Sequence, residues 1–506
     1  MLKAGVCSCL AAWLVVAAPA LADEPRRVAE PSVLREPAEI TQVVDAFDDD
    51  DPFDLSLSLG FESSRRSAKI LRETSITQPR FSTGGYTPDN LNVAKYEATI
   101  SRLVARADVG VYKDVALVFR LPIVLSHSQK LSTLDGSGAQ QALSLEGLPG
   151  EQLFRLPFES PTRSGIEYLA VGLDVAVMNQ ARDRSKPTWV LGIEGRFDVS
   201  EPMHACNDST GSLNLSGTTQ RRCAHPSDIN RDGVAEAPSE APREGSFSGE
   251  RNPGVSRGVT GLELHTLISR RVKYIEPYAG FRALLEFPTG DSDYGSVDFQ
   301  GSLVNHPPLR GTMLVGMNVI PWEIRDRFQR ITLDFRFSGT YVSEGRDYSE
   351  LFDALGSSDA PSLRNPNYSG YMSNPDPDTA GAAPSVVDPS SRRVYFTGLT
   401  DVQAHGTYAL SGSFTWQAGE YVKFNLGTAL NLTQGHFITF DQACNPDFGR
   451  DLSKSGYCRS GAGGTSQRSS GLPNPNYRKV LNDTGRRLKV DDSTGFDAWL
   501  NATVLF

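Results

Sequence analysis

Apolar residues return at every second position in stretch after stretch of this chain, and that period of two constrains its fold more than any other feature. At the C-terminus Phe496, Ala498, Leu500, Ala502, Val504 and Phe506 share one parity, while Asp497, Asn501 and Thr503 take the other with Trp499. Near the beginning Leu55, Leu57, Leu59 and Phe61 alternate with Asp54, Ser56, Ser58 and Gly60. Successive side chains of a β-strand point to opposite faces, so each stretch reads as a strand with one apolar and one polar face. About ten such residues cross a bilayer when the strand is tilted.

Between these two stretches the pattern recurs in hairpins over 93–125, 165–200, 257–287, 311–342 and 400–433. With an opening and a closing strand they predict an all-β fold: a transmembrane, antiparallel, up-and-down β-barrel of about 12 strands, occupying 53–506. The hairpin turns are short, whereas the stretches 65–92, 127–163, 201–256, 290–308, 344–396 and 435–494 read as long outer loops. That asymmetry matches short periplasmic turns and long extracellular loops. Trp189, Trp322, Trp416, Tyr274 and Tyr421 fall beside the short turns, where an interfacial girdle belongs. After the N-terminal segment no stretch approaches about eighteen consecutive apolar residues. A closed barrel is the other way to satisfy every backbone group in lipid. The closing strand, 496–506, should pair with 53–64, with Phe506 at the periplasmic rim and Asp497 and Asn501 facing inward.

Both ends of the chain agree with export. Lys3 precedes an apolar run from Val6 to Pro19, and Ala20-Leu21-Ala22 supplies a small-residue cleavage site, so residues 1–22 read as a signal peptide. A chain ending on an aromatic residue resembles the Gram-negative outer-membrane β-barrel proteins. The resemblance implies the cell outer membrane as location, the barrel assembly machinery as folding partner, and outer-membrane lipid and lipopolysaccharide as surroundings. The net charge of −10 argues against nucleic acid as a partner. Residues 23–52, acidic, rich in Pro and ending in Asp48–Asp51, read as a solvated periplasmic tail.

One strand breaks the pattern. Ala94, Tyr96, Ala98 and Ile100 share a parity, but Leu103, Ala105 and Ala107 take the other. An extra residue near Ser101–Arg102 would flip the pleat and keep Arg102, Arg106, Lys95 and Glu97 out of lipid, where a midplane cation costs roughly 2–4 kcal/mol. A bulge is expected there.

The face opposite the apolar one carries both signs of charge. The predicted lumen residues are Arg120, Asp174, Glu194, Arg196, Glu263, Arg282, Glu286, Asp334, Arg336, Asp401, His405, Lys423 and Asp497, with Asp198, Arg271, Glu276 and Arg330 on the same parity. Eight strands are filled by their own side chains and sixteen leave an aqueous channel, so about twelve admits two readings. Opposed charged walls line a porin-like path for small solutes, or an ion-paired lattice closes the interior of a non-conducting structural barrel that acts through its outer loops. Mixed signs argue against a strongly ion-selective filter. The stretch 106–123 (RADVGVYKDVALVFRLPI) resembles a pattern of the outer-membrane channel family linked to aromatic-compound degradation, through Gly110, Asp114, Leu121 and Pro122. That resemblance implies uptake of hydrophobic substrates.

The loops add further candidates. Cys206 with Cys223, and Cys444 with Cys458, read as two local disulfides in an oxidising compartment. Asp228, Asn230 and Asp232 before Gly233, with Glu236 beyond, space their oxygens as a Ca2+ loop does. Ser239 stands where an EF-hand has its bidentate Glu, so a plain turn competes with calcium, and no other cofactor is implied. Asn365-Pro-Asn-Tyr368 recurs as Asn474-Pro-Asn-Tyr477. An outer-membrane hydrolase would need a Ser and His side by side with an orienting group. His127-Ser128, His405 and His436 show no such set, so the expectation is a protein that is not an enzyme.

Overall fold

A computed structural model describes residues 38–47, 53–77, 86–134, 153–207, 252–289, 292–295, 306–358, 363, 396–441, 444–446, 471–473 and 478–506. Twelve long strands form its wall. They are β1 (Leu55–Thr77), β2 (Tyr86–Tyr112), β3 (Val115–Thr133), β4 (Leu169–Met178), β5 (Thr188–Phe197) and β6 (Val259–Ser269). The circuit continues through β7 (Ile275–Pro288), β8 (Arg310–Ile324), β9 (Gln329–Val342), β10 (His405–Gln417), β11 (Val422–Thr433) and β12 (Leu488–Leu505). Each pairs antiparallel with its neighbours in sequence order, and β1 also pairs with β12. The ladder therefore closes on itself, and no long edge is left unpaired in the wall. At the seam Leu57 faces Val504 and Phe61 faces Leu500, and the backbones of Leu55 and Phe506 exchange hydrogen bonds of 3.1 and 2.8 Å.

The outward face is what makes this a transmembrane wall. Leu59, Phe61, Leu191, Ile193, Phe281, Met313, Phe335, Leu410, Leu426 and Leu500 are all exposed, an apolar girdle that water would not tolerate on a soluble barrel. At the turn end Trp322, Trp416, Tyr274 and Tyr421 are exposed as well. Three hairpins at that end reverse through a non-glycine residue in the left-handed region: Asp114 (φ 58°), Lys273 (58°) and Phe328 (52°).

The wall is not of even height. β1, β2, β3 and β12 hold 23, 27, 19 and 18 residues, against 10 in each of β4 and β5. Beyond the apolar girdle the tall strands exchange the character of their two faces. Outward positions become Arg65, Ser67, Lys69 and Lys95, while the inward Ala68, Ile70, Ala94, Tyr96 and Ala98 are buried. This accounts for the parity puzzle in β2 and corrects the expected flip. The register does slip between Ser101 and Arg102, but the extra residue is Leu125 on β3, and β1–β2 pairing runs unbroken through Ser63↔Ser101 and Glu62↔Arg102. Arg102, Arg106 and Tyr96 all face inward. Lys95 and Glu97 face outward above the girdle, where Lys95 and Lys130 both pair with Glu97 at 2.7 and 2.8 Å.

Inside the tall end the buried strand residues meet the loops in one apolar core. Ile70, Tyr96, Leu131, Leu488 and Val490 from the wall pack with Leu153, Phe154, Phe158, Leu351, Leu355, Leu363, Phe396, Ile438 and Leu481. A short helix, α1 (Phe352–Gly356), lies wholly buried in this cap. A side chain at Gly356 would meet Ala205 at 2.2 Å, so the helix can approach its neighbour only as glycine. Arg163 and Asp353, almost fully buried, pin the cap together: the guanidinium donates to both carboxylate oxygens (2.8 and 2.6 Å) and to the carbonyl of His204 (3.0 Å).

The opposite end holds a second departure from expectation. Residues 38–47, read as part of a solvated tail, lie inside the barrel. Val43, with Ile40 and Val44, packs on the inward Ala116, Ala176, Val190, Leu267, Tyr278 and Leu314. Thr41 shares a 2.8 Å hydrogen bond with Ser269 of β6, Glu39 pairs with Lys423 of β11 at 3.3 Å, and Asp45 pairs with Arg182 of the β4–β5 turn at 2.7 Å. A tail reads as solvated because it is acidic, but here the acids are matched by wall cations and its few apolar residues find a dry face.

Candidate functional site: a charged chamber between two stoppers

Between the cap and the N-terminal segment the lumen keeps a chamber of about 280 Å³, bounded by Glu62, Arg102, Val104, Arg120, Pro122, Glu167, Tyr168, Arg196, Ser256, Arg257, Val259, Gly261, Glu286 and Arg310. Seven strands, β1 to β3 and β5 to β8, contribute through their inward parity, and residues just before β4 and β6 complete the lining, so the pleat that puts Leu and Phe in lipid also delivers charges to the interior.

The charges form three ion-paired groups. Arg120 of β3 reaches Glu194 of β5; Arg196, two residues along, holds Glu194 at 3.0 Å and also Glu263 of β6. Arg282 lies 4.0 Å from Glu263. Arg257 clamps both oxygens of Glu286 at 2.6 Å and reaches Asp347 at 2.7 Å, which Arg310 holds from the other side at 3.1 Å. Arg102 takes Glu167 at 2.8 Å. Below this layer Asp174 meets His265 at 3.1 Å; Gly192 leaves the room, since a side chain there would lie 2.1 Å from the imidazole. Asp334 accepts from Tyr278 (2.5 Å) and pairs with Arg336 (3.1 Å). Lys423 is covered by Glu39 and Gln42, and Asp497 accepts from Asn431 at 2.6 Å. Charges this deep are stable only when paired, because leaving one alone costs several kcal/mol.

One predicted lumen residue is elsewhere. Asp401 lies in a short strand, Thr400–Val402, that pairs with Gly345–Asp347 outside the barrel ladder, and it pairs with Arg346 at 3.1 Å. Burial, with Asp441 adding like charge, pushes the Asp401 carboxyl well above its ordinary range, and Arg346 opposes the shift. The alternation that placed it on the wall continues from β10 but the backbone has already left the sheet. His405 begins β10 at the outer rim, stacked on His436 with ring centroids 3.7 Å apart. Sequence reasoning missed Glu62, Arg102, Glu167, Arg257, Arg310 and Asp347. Arg102 was hidden by the apparent parity break; Glu62 follows directly on the Leu55–Phe61 alternation, and the others lie at or beyond the ends of the long strands, where alternation is too short to read.

The remaining candidates resolve less far. His127 and Ser128 are consecutive in β3 and therefore point to opposite faces; His127 contacts Gln129 at 2.7 Å. Cys206 is buried, and Cys444 lies in Cys444–Pro446 against Gly471–Pro473. Cys223, Cys458, Asp228, Asn230, Asp232 and Glu236 lie outside the described residues, as do both Asn-Pro-Asn-Tyr segments. Among the described residues no group of three or more His, Cys, Asp or Glu is placed to hold a metal ion.

No protein-family model matches the sequence, and no curated protein matches it. Solved structures that resemble it include an outer membrane channel from Pseudomonas putida F1, 9% identical with a TM-score of 0.34 over 89% of this chain and 96% of that one. A FadL homologue of Pseudomonas aeruginosa is 10% identical, TM-score 0.30, over 89% and 90%. The toluene transporter TodX of P. putida is 7% identical, TM-score 0.32, over 94% and 92%.

Proposed function

We propose that this protein is an outer-membrane channel of a Gram-negative bacterium, passing small solutes through a charged lumen that its own N-terminal segment keeps stoppered. The chamber supports this reading. A barrel built only as a stave would fill its centre with side chains, whereas here arginines and carboxylates from six strands and the segments leading into two more frame open space. Residues 38–47 occupy the periplasmic half, held by the apolar side chains of Ile40, Val43 and Val44 and by ion pairs of Glu39 and Asp45. Solute would enter from the outer side past the loops, rest in the chamber and leave when residues 38–47 withdraw.

Single-channel recording in planar bilayers tests it. The full chain is expected to conduct rarely, and a chain lacking residues 38–47 to conduct steadily, with the folded barrel verified by its heat-shifted migration in gels. A folded deletion variant that stays silent would overturn the channel reading. The apolar cap favours a second reading, a non-conducting barrel that presents its outer loops to partners, and a silent variant would support that one. No Ser–His pairing in the described wall supports a hydrolase. The disulfides and the calcium loop remain proposals for the outer loops, tested by mass under non-reducing conditions and by loop proteolysis with calcium or chelator.

A further inference from the structure

The chamber lining is mixed in sign, but its cations outnumber its acids: Arg102, Arg120, Arg196, Arg257 and Arg310 against Glu62, Glu167 and Glu286. Glu286 is 7% exposed beside Arg257 at 19%, and Arg310 is 33% exposed. A solute in the chamber therefore meets cations first, and in a site shielded from bulk water the nearest charges dominate what it feels. Donor capacity is also left over. Arg310 of the lining donates to Asp347 through Nη2 at 3.1 Å and keeps a third of its side chain exposed. A guanidinium with an unused edge matches the two oxygens of a carboxylate.

The rest of the lining completes the description of a ligand. Val104, Pro122, Val259 and the ring of Tyr168, over which Arg196 sits at 5.2 Å, give an apolar surface beside the guanidiniums. Glu167 and Glu286 are occupied by Arg102 and Arg257. Glu62 of β1 is the carboxylate of the lining that opposes an anion. We infer that the chamber is a binding site for a small organic anion, its carboxylate taken by guanidinium edges and its apolar body laid on Val104, Pro122 and Val259. This rests on the channel reading of the same chamber, and it replaces the expectation that mixed signs leave the lumen unselective.

Benzoate, benzamide and benzylammonium share a size and differ in charge, so calorimetric titration of the full-length detergent-folded barrel with each is the test. Benzoate should bind at least tenfold more tightly than benzamide, and benzylammonium should give no measurable heat. Arg120→Gln and Arg310→Gln should each weaken benzoate about tenfold and leave benzamide unchanged; Arg310→Lys should recover part of the loss. Glu62→Gln should strengthen benzoate several-fold, a gain that misfolding does not produce. Equal affinities for the three probes, a preference for benzylammonium, or no binding of any of them overturns the inference, and where a variant does not fold the wild-type discrimination alone decides. Benzoate bound by a barrel that never conducts removes the channel reading and keeps the site. A conducting barrel whose reversal potential favours cations, without benzoate binding, does the reverse.

Discussion

The two ends of the lumen are occupied in different ways. At the outer end an apolar core draws on wall strands and several loops at once, with Leu355, Leu351, Ile70 and Ile438 fully buried. The periplasmic end is filled by one short segment, whose apolar contacts come from Val43, Ile40 and Val44 and whose polar contacts run to Lys423, Ser269 and Arg182. Burying a large aliphatic side chain contributes roughly 1.5–3 kcal/mol, so the cap, with many such side chains, is held far more firmly than the segment, with three. On the channel reading proposed above, the cap is architecture beside the path and the segment is the part that moves.

That contrast can be broken at either end. The largest effect is expected from Arg163→Ala, which strands Asp353 in the cap. Losing one partner of a buried pair costs about 3–5 kcal/mol, so protease cleavage in the cap should accelerate at least a hundredfold while the barrel keeps its heat-shifted migration. Leu355→Ala should follow, at about 2–4 kcal/mol, read by the same assay. If either variant instead opens the pore with the cap intact, the outer end is the gate and the assignment of roles is reversed. At the other end Gly110→Val places a side chain where a Cβ would lie 1.9 Å from the carbonyl oxygen of Asp45. It should displace the segment and raise open probability as far as deleting 38–47 does. The smallest effect belongs to Lys423→Gln, which removes an ion pair to the half-exposed Glu39. Such a pair contributes up to about 1 kcal/mol, so open probability should rise at most several-fold and the difference should shrink in high salt. A Lys423→Gln channel as open as the Gly110→Val one would make charge, and not packing, the latch.

Most of the wall was legible in the sequence because lipid imposes a rule on every second residue. Leu57, Leu59 and Phe61 could be assigned to lipid without knowing any partner strand. Legibility stopped where lipid did. Above the girdle the outward face meets water and the inward face meets the cap, so Tyr96 and Lys95 exchange the parities that Leu103 and Arg102 obey, and the sequence reads as a slip. Pairing across the lumen was equally hidden. Alternation places Arg196 and Glu263 on the inner face, but only the register Glu194↔Glu263 brings these two strands side by side. The segment 38–47 carried no period at all. Its fit depends on a surface assembled from β3 to β8, which no local pattern can announce.

The docking of that segment bears on how the barrel is made. Its contacts fall on both flanks of the closing seam, Lys423 on β11 and Gly110 on β2, while β12 and β1 meet between them. The chain runs from Asp45 inside the lumen to Leu55 at the seam within ten residues, so the segment is tethered beside the joint it bridges. It spans that joint from within, as a splint does, next to the rim hydrogen bonds between Leu55 and Phe506. On the channel reading, a mutation that frees the segment to open the pore would also remove that splint, and the yield of closed barrels should fall.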